Sequence, residues 1–167
     1  TVDFYGAVRV VTGSKYLLTN GDSQIMVDCG AFRGENDLVQ KNYAEFDFDP
    51  SKISYLILTH AHMDHSGLVP RLIKKGFRGK VLCTRPTMEL CNIMFPDSAH
   101  VEMADLEWKN KKRLRAGLPV FNPLFTLDDA AEAMKYFKTF EYRELVDLDN
   151  GFKIRFLDAG HILGSSI

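Results

Sequence analysis

Apolar residues fall into short runs as far as residue 59 and into a helical period soon after it. Tyr16-Leu17-Leu18 and Ile25-Met26-Val27 flank Asn20-Gly21. Asn-Gly between two apolar runs is a strong hairpin signal, because both turn positions take positive φ. Gly13, within Thr12-Gly13-Ser14, predicts an earlier tight turn. The second strand ends at Asp28-Cys29-Gly30, a polar and partly helical stretch covers residues 35–45, and Pro50 punctuates it. Residues 53–59 form a nearly continuous apolar run, as expected of a strand buried on both faces.

From Ser66 the period changes. Leu68, Val69, Leu72 and Ile73 lie at helical spacing, with Lys74 and Lys75 in the last turn and Gly76 as the stop. Val81-Leu82-Cys83 reads as the next strand. Strand, helix and strand in so short a stretch make a βαβ unit, hence a parallel connection. Residues 86–115 are predicted to be largely helical, with Pro86 in the first turn and a break near Pro96. Pro119 and Pro123 mark a loop, and Thr126 with Asp129 resembles a capping box opening a helix that runs to about residue 138. Residues 145–148 and 152–157 flank Asn150-Gly151 as a second hairpin, whose last strand delivers Asp158-Ala159-Gly160-His161. The expected class is α/β, a mixed sheet covered by helices with a helical insertion before the last hairpin.

Composition narrows the function. The 167 residues suit one domain, and 46% hydrophobic with 26% charged residues is ordinary for a globular protein. A net charge of −1 gives no bulk support for nucleic-acid binding. Lys109, Lys111, Lys112, Arg113 and Arg115 do cluster, which the charge pattern alone reads as a solvated helix face. Three cysteines, Cys29, Cys83 and Cys91, make neither a disulfide framework nor a C-x-x-C metal knuckle. Free thiols suit a reducing cytoplasm. Cys29 is expected to be a small buried residue, although it stands beside Asp28 at a strand end. No signal peptide or membrane-spanning apolar run is visible. A first residue Thr1 and an apolar stretch at Ile162, Leu163 and Ile167 suggest a portion of a longer protein.

The chemistry concentrates in Thr59-His60-Ala61-His62-Met63-Asp64-His65, directly after the buried strand. Three of the five histidines lie here. Alternate side chains of an extended segment share a face, so His60 and His62 can bind one metal. Once the chain turns, Asp64 and His65 are redirected towards a second metal. Imidazole nitrogen and carboxylate oxygen suit Zn²⁺, with Mn²⁺ or Fe²⁺ also compatible. The spacing differs from the helical H-E-x-x-H pattern. His100 has no such company and reads as a helix-surface residue.

His60-x-His62-x-Asp64-His65 resembles the signature of the metallo-β-lactamase superfamily, and Asp28 after a hairpin resembles its first motif. Three segments make the chain most similar to the β-CASP RNA-processing nucleases, ribonuclease J-related members among them. These are Gly6 with Val11-Thr12-Gly13-Ser14, Asp64-His65-Ser66-Gly67-Leu68-Val69-Pro70, and Asp158-Ala159-Gly160-His161-Ile162-Leu163-Gly164-Ser165. In that family the third histidine follows a long helical insertion, and here His161 follows His65 by 96 residues (161 − 65).

The resemblance implies that residues 1–167 are the N-terminal portion of a metallo-β-lactamase domain of αββα type. It implies a first metal on His60, His62 and His161, a second on Asp64 and His65, and Asp28 orienting the histidine loop through hydrogen bonds. Asp64 and His65 would be the catalytic pair. The implied reaction is hydrolysis of single-stranded RNA at a two-zinc site, in a cytoplasmic protein that could dimerise. The family's later aspartate motif and β-CASP domain lie outside these residues, so the segment alone is expected to hold one metal firmly at most and to be inactive. Residues 88–137 would lie beside the RNA entrance, where the Lys109–Arg115 cluster could meet phosphates. Two readings compete: a hydrolase of a small ester, thioester or lactam, and a degenerate, non-catalytic RNA-processing subunit.

Overall fold

A computed structural model describes residues 1–148 and 151–167. Its centre is a six-stranded mixed sheet. The strands are β1 (Val2–Phe4), β2 (Tyr16–Asn20), β3 (Ser23–Val27), β4 (Ile53–Ile57), β5 (Lys80–Thr84) and β6 (Phe137–Phe140), in spatial order β1-β2-β3-β4-β5-β6. β1, β2 and β3 pair antiparallel; β3 to β6 pair parallel. The helices are α1 (Asn36–Gln40), α2 (Met63–Ser66), α3 (Val69–Lys74), α4 (Arg85–Arg115) and α5 (Leu127–Met134). A separate ribbon, β7 (Leu145–Asp147) with β8 (Lys153–Arg155), closes the chain.

The period of two along the strands sorts the core into two layers. Leu17, Met26, Leu56, Val81 and Cys83 face α3, α4 and α5, packing with Val69, Leu72, Cys91, Phe95 and Ala133. Their sequence neighbours Leu18, Ile25, Tyr55, Ile57 and Leu82 face the other way, against Val146, Leu148, Ile154 and Phe156 of the ribbon. β4 is therefore covered on both sides, which is why its apolar residues are not confined to alternate positions. One face thus lies under helices and the other under strands, the layering expected of an αββα fold.

α4 shows how packing overrides a local signal. Its N-cap is Thr84, whose side chain accepts from Thr87 N–H, and Pro86 lies in the first turn. Thr87, Cys91, Phe95 and Ala99 repeat every four residues and are buried. The helix runs unbroken through Pro96, contrary to the predicted break. Proline loses one intrahelical bond there, but Phe95 and Ala99 on either side of it are both fully buried, and their packing supports the continued helix. Beyond Ala99 only Leu106 is buried, so the C-terminal half projects past the core.

Three boundaries also differ. Asn20 pairs with Ser23, so the hairpin loop is Gly21-Asp22. Gly21 has a positive φ, 58°, and Asn20 closes the ladder instead of turning. The Thr126–Asp129 capping box is present, but α5 ends at Met134, and residues 137–140 form β6 instead of continuing it. Pairing with β5, which places Val81 opposite Phe137, wins over helical continuation. β1 was not anticipated; all three of its residues are exposed and give no burial pattern to read. Of the second hairpin's turn, Asn150 lies outside the described residues, while β7 and β8 pair as expected. His100 is exposed on α4, and Cys29, Cys83 and Cys91 are buried free thiols.

Truncating Phe95 to alanine should cost about 3–5 kcal/mol in chemical denaturation, from lost burial plus the cavity left behind. His100→Ala, five positions on but exposed, should stay within about 0.5 kcal/mol.

Candidate metal centre

The site forms where the parallel strands end. After β4 the chain continues extended through Leu58 and Thr59 to the histidines, then turns into α2. Beside it, residues 28–31 leave β3 and pair with this loop: Cys29 N–H donates to His65 O at 2.8 Å and Ala31 N–H to Met63 O at 2.9 Å. Ser14 N–H donates to Asp64 O at 2.9 Å, and Gly30 N–H to Ser14 O at 2.9 Å. A side chain at residue 30 would collide with the Asp64 carbonyl, which is why glycine stands there.

Asp28 organises the imidazoles. It is 2% exposed and sits at φ 58°, a left-handed conformation that aspartate tolerates better than most residues. Its carboxylate accepts from Thr59 N–H at 2.9 Å, Thr59 Oγ1 at 2.9 Å, Ser14 Oγ at 3.2 Å and His65 Nδ1 at 2.6 Å. These bonds set tautomers. His65 carries its proton on Nδ1, leaving Nε2 as the free lone pair, 3.8 Å from Asp64 Oδ2. Thr59 gives its single hydroxyl proton to Asp28, so at 2.9 Å its oxygen accepts from His60 Nδ1. The lone pair of His60 is then on Nε2, which is buried with no partner.

That orphaned acceptor points to a cation. His60, His62 and His161 each offer a nitrogen, all within 4.8 Å of one another. His161 Nε2 lies 3.1 Å from His62 Nδ1 across 99 positions of sequence. Two ligands of a tetrahedral zinc with bonds of about 2.0–2.1 Å stand about 3.3 Å apart, so the pair fits a shared ion. Asp64 and His65 lie alongside, with the His60 and His65 ring centroids 4.0 Å apart, and could serve a second ion. Burial, then the neighbouring His65, pushes the His60 pKa down to about 4, which keeps it a neutral ligand. For His65 burial acts downwards, but the hydrogen bond and charge of Asp28, with Asp64, outweigh it and the net shift is upward. Burial pushes the Cys29 thiol up to about 12, so it stays protonated and inert.

Every predicted site residue, Asp28, His60, His62, Asp64, His65 and His161, therefore meets in one place. Several supports went unnoticed in the sequence. Lys15 is 4% exposed, and its ammonium donates to Gly30 O at 2.6 Å and Gly13 O at 3.1 Å, tying together the two loops behind Asp64. Ser165 Oγ accepts from the His161 and Ile162 amides at 3.1 and 3.2 Å, and Ser166 Oγ donates to Thr59 O at 3.0 Å. Thr84 and Thr87 hydroxyls donate to Gly164 O at 2.6 and 2.9 Å, fastening the His161 loop to the start of α4. Thr and Ser at these offsets carry no signal until the loops are placed together.

A histidine loop thus stands at the parallel end of a mixed sheet, and residues 8–148 match the family described as Metallo-beta-lactamase superfamily. The chain belongs to that superfamily, whose fold implies binding of divalent metal. It is 35% identical over 162 residues to Ribonuclease TTHA0252 of Thermus thermophilus, covering 97% of this chain and 33% of that protein. It is 34% identical over 163 residues to Transcription termination factor FttA of Methanosarcina mazei, covering 97% of this chain and 23% of that protein. The chain thus spans a third or less of the length of these curated relatives. Among solved structures, a Cronobacter sakazakii metallo-beta-lactamase with a HARLDQ motif superposes with a TM-score of 0.54 at 18% identity, over 94% of this chain and 48% of that one. That likeness shows the fold.

Replacing Asp28 with alanine should weaken metal binding about 10- to 100-fold, read by competition with a chromophoric chelator. Unchanged affinity would mean that the histidine loop holds its own geometry.

Proposed function

We propose that this chain is the N-terminal portion of the metallo-β-lactamase domain of a β-CASP-type ribonuclease, a metal-dependent phosphodiester hydrolase acting on single-stranded RNA. One observation carries the hydrolase reading: ring nitrogens of His60, His62 and His161 lie within 4.8 Å of one another although His161 is remote in sequence. The substrate class is supported by the relatives named as a ribonuclease and a termination factor.

His60, His62 and His161 would hold the first metal, leaving a tetrahedral position open. Asp64 and His65 would hold the second, completed by residues outside this segment. Zinc suits three imidazoles. When bound, the ions supply Lewis acidity that makes water nucleophilic near neutral pH and steadies charge growing on phosphate oxygens. Asp28 and Thr59 fix which ring nitrogens of His60 and His65 carry the proton and hold both rings in place. Asp64, about a quarter exposed, faces the open side, where its carboxylate can accept a proton from an attacking water and orient it in line with the departing oxygen. No helix among the described residues is long and apolar enough to cross a membrane; the cytoplasm is the location proposed with the RNA substrate.

In the full-length protein, His62→Ala should reduce both bound metal and cleavage of a single-stranded RNA to the level of chelator-treated enzyme. Residues 1–167 alone should retain one metal per chain at most and leave RNA intact. Hydrolysis of a lactam or thioester by the full protein, with RNA untouched, would overturn the substrate assignment.

A further inference from the structure

The far end of α4 carries a charge pattern that the metal centre does not use. Between Glu107 and Asp128 the chain has no acidic residue and five basic ones, in a protein of net charge −1. The backbone beyond α4 folds back on it. Leu118 N–H donates to Arg113 O at 2.9 Å. Asn110 clasps Phe121 with two hydrogen bonds, at 2.9 and 2.8 Å, and Arg113 donates to Pro119 O. Phe121 is thereby held at the surface at 46% exposure, while Trp108 stands 61% exposed on the helix itself. Each carries a cation on its face, Lys112 at 3.7 Å from the Trp108 centroid and Arg113 at 4.1 Å from that of Phe121.

Basic residues in a last turn also suit the helix dipole. That accounts for Lys112, Arg113 and Arg115, but not for Lys109 or for an indole left in water. Lys111 is paired with Glu107 at 2.7 Å, whereas no ion pair engages Lys109, Lys112 or Arg115 among the described residues.

We propose that the end of α4 on its Trp108 side binds single-stranded RNA, with Trp108 as the stacking platform and Lys109, Lys112 and Arg115 as phosphate contacts; Phe121, held by Asn110 on the other side of the helix, takes no part. The inference rests on the reading of the protein as an RNA hydrolase and adds to it a second anchoring point. Aromatic faces interleaved with cations are what a sequence-tolerant single-strand site requires. A base can replace the cation on a ring while that cation swings to the adjoining phosphate, so both components are used at once. A lipid surface would need the ring faces clear of charge, and here ammonium and guanidinium groups occupy them. The groove leading along α4 from Met63 to Lys109 also contains Asp97, Glu102 and Asp105, which repel phosphate. The contact is therefore confined to the helix end. From Met94, which lines the groove together with Met63, to Lys109 is about 22 Å along the axis at 1.5 Å per residue. The site engages nucleotides several positions from the scissile bond, and short substrates do not reach it.

The test uses full-length protein. Binding of a fluorescent single-stranded RNA is measured against KCl concentration in a His62→Ala background that does not cleave, and turnover of bis(p-nitrophenyl) phosphate in the wild-type background. Replacing Lys109, Lys112 and Arg115 together with glutamine should lower the slope of log affinity against log salt by about 2, since each phosphate contact contributes about 0.7. Trp108→Ala should weaken binding about tenfold with the slope unchanged. Both variants should turn over the small diester at the wild-type rate. Equal affinity and slope in wild type and variants would overturn the RNA surface while leaving the hydrolase reading intact. Turnover of the small diester with no RNA binding by any form would instead remove RNA as the substrate. Sedimentation of the protein with phosphatidylserine vesicles, lost in the variants while RNA binding persists, would assign the surface to a membrane and sink the proposal.

Discussion

One buried carboxylate governs the geometry of the metal centre. Asp28 leaves the end of β3 and takes hydrogen bonds from three separate stretches of chain, at Ser14, Thr59 and His65. Burying a charge is costly unless donors replace water, and hydrogen bonds to charged groups contribute about 1.5–3 kcal/mol each. The donors present here serve a second purpose by fixing which nitrogen of His60 and His65 is free. The unusual backbone angle of Asp28 belongs to the same arrangement. It turns the carboxylate off the strand direction and towards the loop, a local strain held in place by the surrounding bonds.

The layers around this group explain why the site lies where it does. β3, β4 and β5 are parallel neighbours, so their ends open on one edge and their continuing loops meet there. Main-chain bonds between residues 28–31 and 63–68 extend the pairing past the strands themselves. Lys15 reinforces the rear of that extension, with its ammonium also 4.4 Å from the Phe32 ring. Burial lowers the Lys15 pKa, but two carbonyl partners and an aromatic face compensate the charge.

Much of this was legible in the sequence because the informative residues are close together and chemically unusual. His60, His62, Asp64 and His65 announce a ligand loop by spacing alone, and the apolar run before them announces the strand that carries it. His161 was legible only through resemblance, since a single histidine after a strand has no local signature. What stayed hidden depends on contacts between distant segments. The unbroken passage of α4 through Pro96 is supported by burial of Phe95 and Ala99. β6 follows from an open edge on β5. The parts of Lys15, Thr84, Thr87 and Ser165 arise from which carbonyl or amide happens to face them once the fold is complete.

The fastening of Gly164 to Thr84 and Thr87 has a consequence for the metal centre. Closing a loop of roughly a hundred residues costs about 4 kcal/mol of chain entropy by the logarithmic rule. The hydroxyl contacts at Gly164 and the Ser166–Thr59 bonds offset part of that cost. The loop that carries the distant imidazole is therefore tied to the core through its own backbone carbonyl, on the side away from the ring nitrogen that faces His62. Any change that loosens Thr84 or Thr87 reaches the centre by freeing this tether, with no ligand altered.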